Sequence, residues 1–98
     1  MVERPVVDFE MIEAAMGEFG SHLANVLKRK GSGTFMSRAE LRGVIASEMD
    51  ELIAELEAEG DPKPWAVKWE LFDVAAACVF GAACITAGLL YPYPKEED

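Results

Sequence analysis

Histidine is almost missing from this chain: His22 is the only one. That leaves no Ser–His–Asp or Cys–His nucleophile set, and it removes the usual imidazole ligands of zinc. His22 itself falls at the edge of an apolar helical stripe and reads as a structural or surface residue. Cysteine is nearly as scarce. Cys78 and Cys84 lie six apart on one predicted helix, so they point in different directions and cannot meet the geometry of a disulfide. They read as reduced thiols of a cytoplasmic protein, buried as small apolar side chains. Basic charge is short too. Nine Lys and Arg face eighteen Asp and Glu, a net charge of −9, which argues against nucleic acid or an anionic membrane as a partner. A surplus of carboxylates suits divalent cations instead. The opening Met-Val-Glu-Arg-Pro has no apolar run, so no signal peptide is expected. No alternation of period two is long enough for a strand, and no repeat is visible.

What is present is helix. Ninety-eight residues, 51% of them apolar, suit one small folded domain over 1–98. Residues 1–7 read as an arm. A first helix is expected over about 8–30, with Phe9, Ile12, Met16, Phe19, Leu23, Val26 and Leu27 at helical spacing. Gly17 and Gly20 interrupt it, which implies either a close neighbour or a break. Lys28-Arg-Lys30 suits the negative end of the helix dipole, and Gly31 can cap it. The sharper reading of these cations is that Lys30 reaches a substrate phosphate. Ser37-Arg-Ala-Glu40 is a capping box that opens a second helix, expected to run to about Glu59 and stop at Gly60. Asp61-Pro-Lys-Pro64 is a short turn, and a third helix is expected from about Trp65 to Leu90. The acidic end, 91–98, is expected to be flexible.

The second and third helices carry the chemistry. Glu48 and Glu51 are three apart, eighteen residues (52–69) follow, and Glu70 and Asp73 are again three apart. That spacing places each pair on one helix face. At about 100° per residue, Leu41, Val44, Ile45, Met49, Leu52, Ile53 and Leu56 form one stripe. Glu48 and Glu55 fall within it and Glu51 lies on its edge, whereas Asp50 and Glu57 point away. Acids inside an apolar stripe are costly. On two antiparallel helices the four carboxylates converge, and like charges converge only around a cation or with a forced protonation. An all-oxygen donor set selects a hard ion, Mg²⁺ or Mn²⁺.

From Val74 to Leu90 the chain has no charge, close to the minimum for a membrane span. Its many Ala and Gly residues and its acidic flanks favour a buried core helix over a span. Ala77 with Gly81, and Ala83 with Ala87, allow close helix approach. A third helix apolar all round exceeds what two amphipathic helices can cover, so a homodimer or homotetramer is expected to complete the bundle. Trp65 and Trp69 read first as core packing. The alternative for Trp69 is an aromatic face for a base beside Asp73. Lys68 reads as a surface residue.

Glu48-x-x-Glu51 and Glu70-x-x-Asp73 on a helical hairpin, with Glu70-Leu-Phe-Asp73-Val-Ala leading into an apolar helix, resemble the MazG-type all-α nucleoside triphosphate pyrophosphohydrolases. That superfamily includes phosphoribosyl-ATP pyrophosphatase and the dimeric dUTPases. The resemblance covers residues 37–90 and implies that Glu48, Glu51, Glu70 and Asp73 bind Mg²⁺. It also implies hydrolysis of a nucleotide to the monophosphate and pyrophosphate, with Glu51 or Glu55 as general base. Only Tyr91–Asp98 follow the third helix, where family members commonly carry a further helix that contacts substrate. The competing reading is a non-catalytic helical interaction protein whose acids pair with Arg38, Arg42 or Lys28–Lys30 of another subunit.

Overall fold

The computed structural model describes residues 3–60 and 63–90, and they are all-α: α1 is Phe9–Lys30, α2 is Arg38–Glu57 and α3 is Pro64–Thr86. The backbone divides into two units, Met1–Gly31 with α1 and Ser32–Asp98 with α2 and α3.

In the first unit, Asp8 caps α1 by accepting a 2.9 Å hydrogen bond from the Met11 amide. Lys28, Arg29 and Lys30 occupy the last turn, and the Gly31 amide donates to the Leu27 carbonyl at 2.7 Å. The helix runs unbroken through Gly17 and Gly20, and a Cβ on either would meet nothing within 4 Å. The two glycines therefore do not mark a break. No residue of α1 is buried; Phe9, Met11, Ile12 and Met16 are exposed.

In the second unit, Ser37 accepts from the Glu40 amide at 3.1 Å. Glu40 reaches back one residue further than the usual reciprocal box, accepting from the Met36 amide at 2.6 Å. α2 ends at Glu57, two residues short of the expectation, and Gly60 follows at φ 89. The expected turn Asp61–Pro64 lies partly outside the described residues. Pro64 opens α3 at a position that needs no amide donor. α3 stops at Thr86 rather than near Leu90. Gly88 takes φ 71, its amide donates to the Ile85 carbonyl, and the Leu89 amide donates to the Cys84 carbonyl, both at 2.9 Å. This pair of bonds is a Schellman cap. It swings the chain back so that Leu90, outside the helix, is the most buried side chain among the described residues. The expected flexible end, 91–98, lies outside the described residues.

α2 and α3 pack together as an antiparallel hairpin: Leu41 near the start of α2 meets Gly81 near the end of α3, while Glu48 and Glu51 meet Glu70. A Cβ added at Gly81 would lie 2.8 Å from Leu41 Cδ1, so the glycine lets this side chain seat against α3. Ala76, Ala77 and Cys84 are buried with Leu52, and Phe35, just before α2, packs edge-on against Phe80 with ring centroids 5.6 Å apart.

Among the described residues α3 buries Ala76, Ala77, Gly81 and Cys84 and leaves Leu71 and Val79 exposed, so one chain does not cover it on all sides, as its all-round apolar character implies. Two packing expectations fail. Cys78 is exposed rather than buried, because it sits outside that stripe, whereas Cys84 is within it. Trp65 and Trp69, at 59% and 47% exposure, are not core residues. The described helix α3 is long and apolar enough to cross a membrane by length and composition alone.

Candidate metal centre

The phase of α2 relative to α3 sets the site. Leu41, Val44, Ile45, Glu48, Leu52 and Glu55 are buried or half-buried, which is the pattern expected of a face turned toward α3. Met49, Ile53 and Leu56 belong to the same apolar stripe but remain exposed, so the stripe is wider than one neighbouring helix can cover. Asp50 and Glu57 point to solvent as their phase requires.

The three carboxylates of Glu48, Glu51 and Glu70 each place an oxygen within 4.8 Å of the other two. Glu48 and Glu51 come from successive turns of α2, and Glu70 comes from the first half of α3. Glu48 and Glu70 are half-buried; Glu51 is exposed and forms the open side. Glu70 Oε1 is shielded from solvent and accepts no hydrogen bond, and Glu48 Oε1 is likewise out of contact with water. Among the described residues, no lysine or arginine forms an ion pair with Glu51, Glu55 or Glu70.

The electrostatic consequence falls on Glu70. Its carboxyl is pushed above the ordinary glutamate range, first by loss of hydration and then by Asp73, Glu51, Glu48 and Glu55 in turn. Five acids therefore share one neighbourhood, as the sequence phase requires. Asp73 departs from the fourfold expectation in one respect: it is half-buried and acts on Glu70, but it stands outside the group of three converging oxygens. Asp73 follows Glu70 by three residues and so lies about 60° round the helix. It flanks the converging oxygens.

A three-carboxylate donor set fits a hard divalent ion, and the bare, water-shielded Glu70 oxygen is the kind of atom such an ion would satisfy. The remaining residues singled out from sequence divide between the two units. Glu55 is half-buried one turn beyond Glu51. Trp69 is partly exposed on the turn that carries Glu70, and its ring meets Phe72 edge-on at 6.0 Å. Lys30 is exposed in the last turn of α1, and Lys68 is exposed on α3. His22 is half-buried in α1.

Sequence reading overlooked a shallow groove beside the site, between the start of α2 and the end of α3, although Arg38 and Arg42 one turn apart were a visible signal for it. No protein-family model, no curated protein and no solved structure matches the chain.

Proposed function

We propose that this chain is a divalent-metal-dependent nucleotide pyrophosphohydrolase of the MazG type. The observation that carries the reading is the meeting of Glu48, Glu51 and Glu70 oxygens within 4.8 Å across two helices. Three carboxylates brought together without lysine or arginine on Glu51 or Glu70 cost folding energy, and a bound cation offsets that cost. Glu48, Glu51 and Glu70 would hold Mg²⁺ or Mn²⁺, and Asp73 would add negative charge beside them. Once bound, the ion acidifies a water and neutralises charge on the leaving pyrophosphate.

The chain's own groups account for the remaining requirements. Glu51 is exposed at the mouth and Glu55 lies one turn beyond it, so either can take the proton of a water attacking the α-phosphorus. A new P–O bond forms to that water, and the bond to the bridging oxygen of the β-phosphate breaks. Pyrophosphate leaves with the electron pair. The exposed ring of Trp69 offers a stacking face to the base. A second copy of the chain is the proposed cover for the exposed apolar residues of α2 and α3 and is the basis of the homo-oligomer assignment.

Those exposed side chains, Met49, Ile53, Leu56, Leu71 and Val79, also favour a second reading, a non-catalytic oligomerisation module. Pyrophosphate release from the common nucleoside triphosphates, with Mg²⁺ or Mn²⁺, separates the two. The enzyme reading expects metal-dependent release that Glu48→Gln abolishes while the variant keeps its fold. Absence of release from every nucleotide, with an intact oligomer, would favour the module.

A further inference from the structure

α2 carries a second face that α3 leaves open. Arg42, Ala46, Met49, Ile53 and Leu56 are all exposed, and they recur at intervals of four, three, four and three residues. That alternation is the seam of a coiled coil, with Ala46 and Ile53 at the a positions of a heptad and Arg42, Met49 and Leu56 at d. On the same count the buried Leu52 and half-buried Ile45 fall at g, on the side turned toward α3. Glu51 falls at f, the position directly opposite the seam, so the open mouth of the carboxylate cluster and the exposed apolar row occupy different sides of α2.

The charges along this face say what covers it. A cation, Arg42, stands at one end of the seam, and two acids, Glu57 and Glu59, flank the other end. Two copies of α2 running parallel would set Arg42 against Arg42, a like-charge contact inside the seam. Two copies running antiparallel bring each Arg42 level with the partner's last turn, where Glu57 and Glu59 lie, and they also oppose the helix dipoles. In that register Met49 meets the partner's Ile53, and Leu56 meets the partner's Ala46, large against small. Asp50, at e, faces its own copy across the two-fold axis, and as a contact on the exposed rim it costs little. We infer that two copies of this chain join through an antiparallel α2–α2 contact along Arg42, Ala46, Met49, Ile53 and Leu56, leaving the carboxylate cluster open on the outer side. The inference rests on the homo-oligomer part of the proposed function and requires no catalysis.

Sedimentation equilibrium of the full chain is the test. The wild type is expected to be dimeric at ~100 μM. Ile53 is exposed in the single chain, so Ile53→Lys should keep its helix content while raising the dimer dissociation constant at least about 100-fold. Arg42→Glu and Glu57→Lys should each weaken the homodimer about tenfold, and an equimolar mixture of the two should form a heterodimer of wild-type strength, because both ends then join opposite charges. Asp50→Asn should tighten the dimer. Binding of Mn²⁺ should be the same in the Ile53→Lys monomer as in the wild type. A wild type that stays monomeric would overturn the inference together with the homo-oligomer, and would assign the seam to another segment of the chain or to a different protein. A dimer indifferent to Ile53→Lys would overturn the α2–α2 contact and leave the homo-oligomer standing. Charge variants that do not mix would overturn the antiparallel register, and a folded Ile53→Lys monomer without Mn²⁺ binding would overturn the separation of seam and cluster.

Discussion

Replacing Glu70 by glutamine should stabilise the metal-free protein. The size of the effect follows from the separations. A unit charge 4.8 Å from another carries about 0.9 kcal/mol of repulsion at the dielectric constant of water and about 1.7 kcal/mol at half that value. Glu70 has two neighbours at such distances, Glu48 and Glu51, with Asp73 and Glu55 further out. Salt and side-chain relaxation at a half-exposed site reduce the gross figure to about 1 kcal/mol. For a domain of this size that is a rise of about 4–8 °C in Tm.

The pH dependence has a definite sign. Glu70 holds its proton more tightly in the folded state than in the unfolded chain, so its carboxyl costs nothing at pH values below the ordinary glutamate range. The cost appears as pH rises through the window between the ordinary value and the raised one, and it is complete above that window. The advantage of glutamine should therefore be largest at pH 7 and vanish in acid. Saturating Mg²⁺ should reverse the ranking. The wild type gains about 1.4 kcal/mol at ten times its Kd, and the variant, lacking one ligand, gains less. Thermal melts in EDTA and in Mg²⁺, at several pH values and low ionic strength, read all three effects. A Glu70→Gln protein that melts below wild type in EDTA at pH 7 would show that the carboxylate is engaged in a stabilising pair, and the crowding argument would fall.

Gly81→Ala should be close to neutral, because the tip of Leu41 can turn away from a single methyl and the helix gains propensity, whereas Gly81→Val should cost about 1–3 kcal/mol in urea unfolding. Ser37→Ala removes the acceptor of the Glu40 amide and should cost about 1 kcal/mol by the same assay. Cys78 should be alkylated by iodoacetamide in the native protein and Cys84 only on unfolding, which mass spectrometry can follow.

The hairpin was legible because its punctuation is local. Ser37 with Glu40, Gly60 and Pro64 each act within a turn of the chain, and three helices came out within a few residues of their bounds. The third helix was read four residues too long: Gly88 reverses the backbone through a Schellman cap, and apolar Leu89 and Leu90 disguise the stop. The pairing of Glu48, Glu51 and Glu70 was legible because helical phase alone decides which side chains face α3. Which acids converge and which merely flank was not, since three residues of separation leave about 60° between neighbours, and the axial offset of two helices is not written in either one. The same missing information explains Cys78, Trp65 and Trp69. An apolar helix announces that it wants cover without saying on which sides a single chain supplies it.

Titrating Mn²⁺ into the protein and recording the free ion by electron paramagnetic resonance tests the metal site most directly. One saturable site per chain is expected, displaced by Mg²⁺ and lost in Glu48→Gln, Glu51→Gln and Glu70→Gln alike. Binding that survives all three substitutions, or no saturable binding at all, would contradict it.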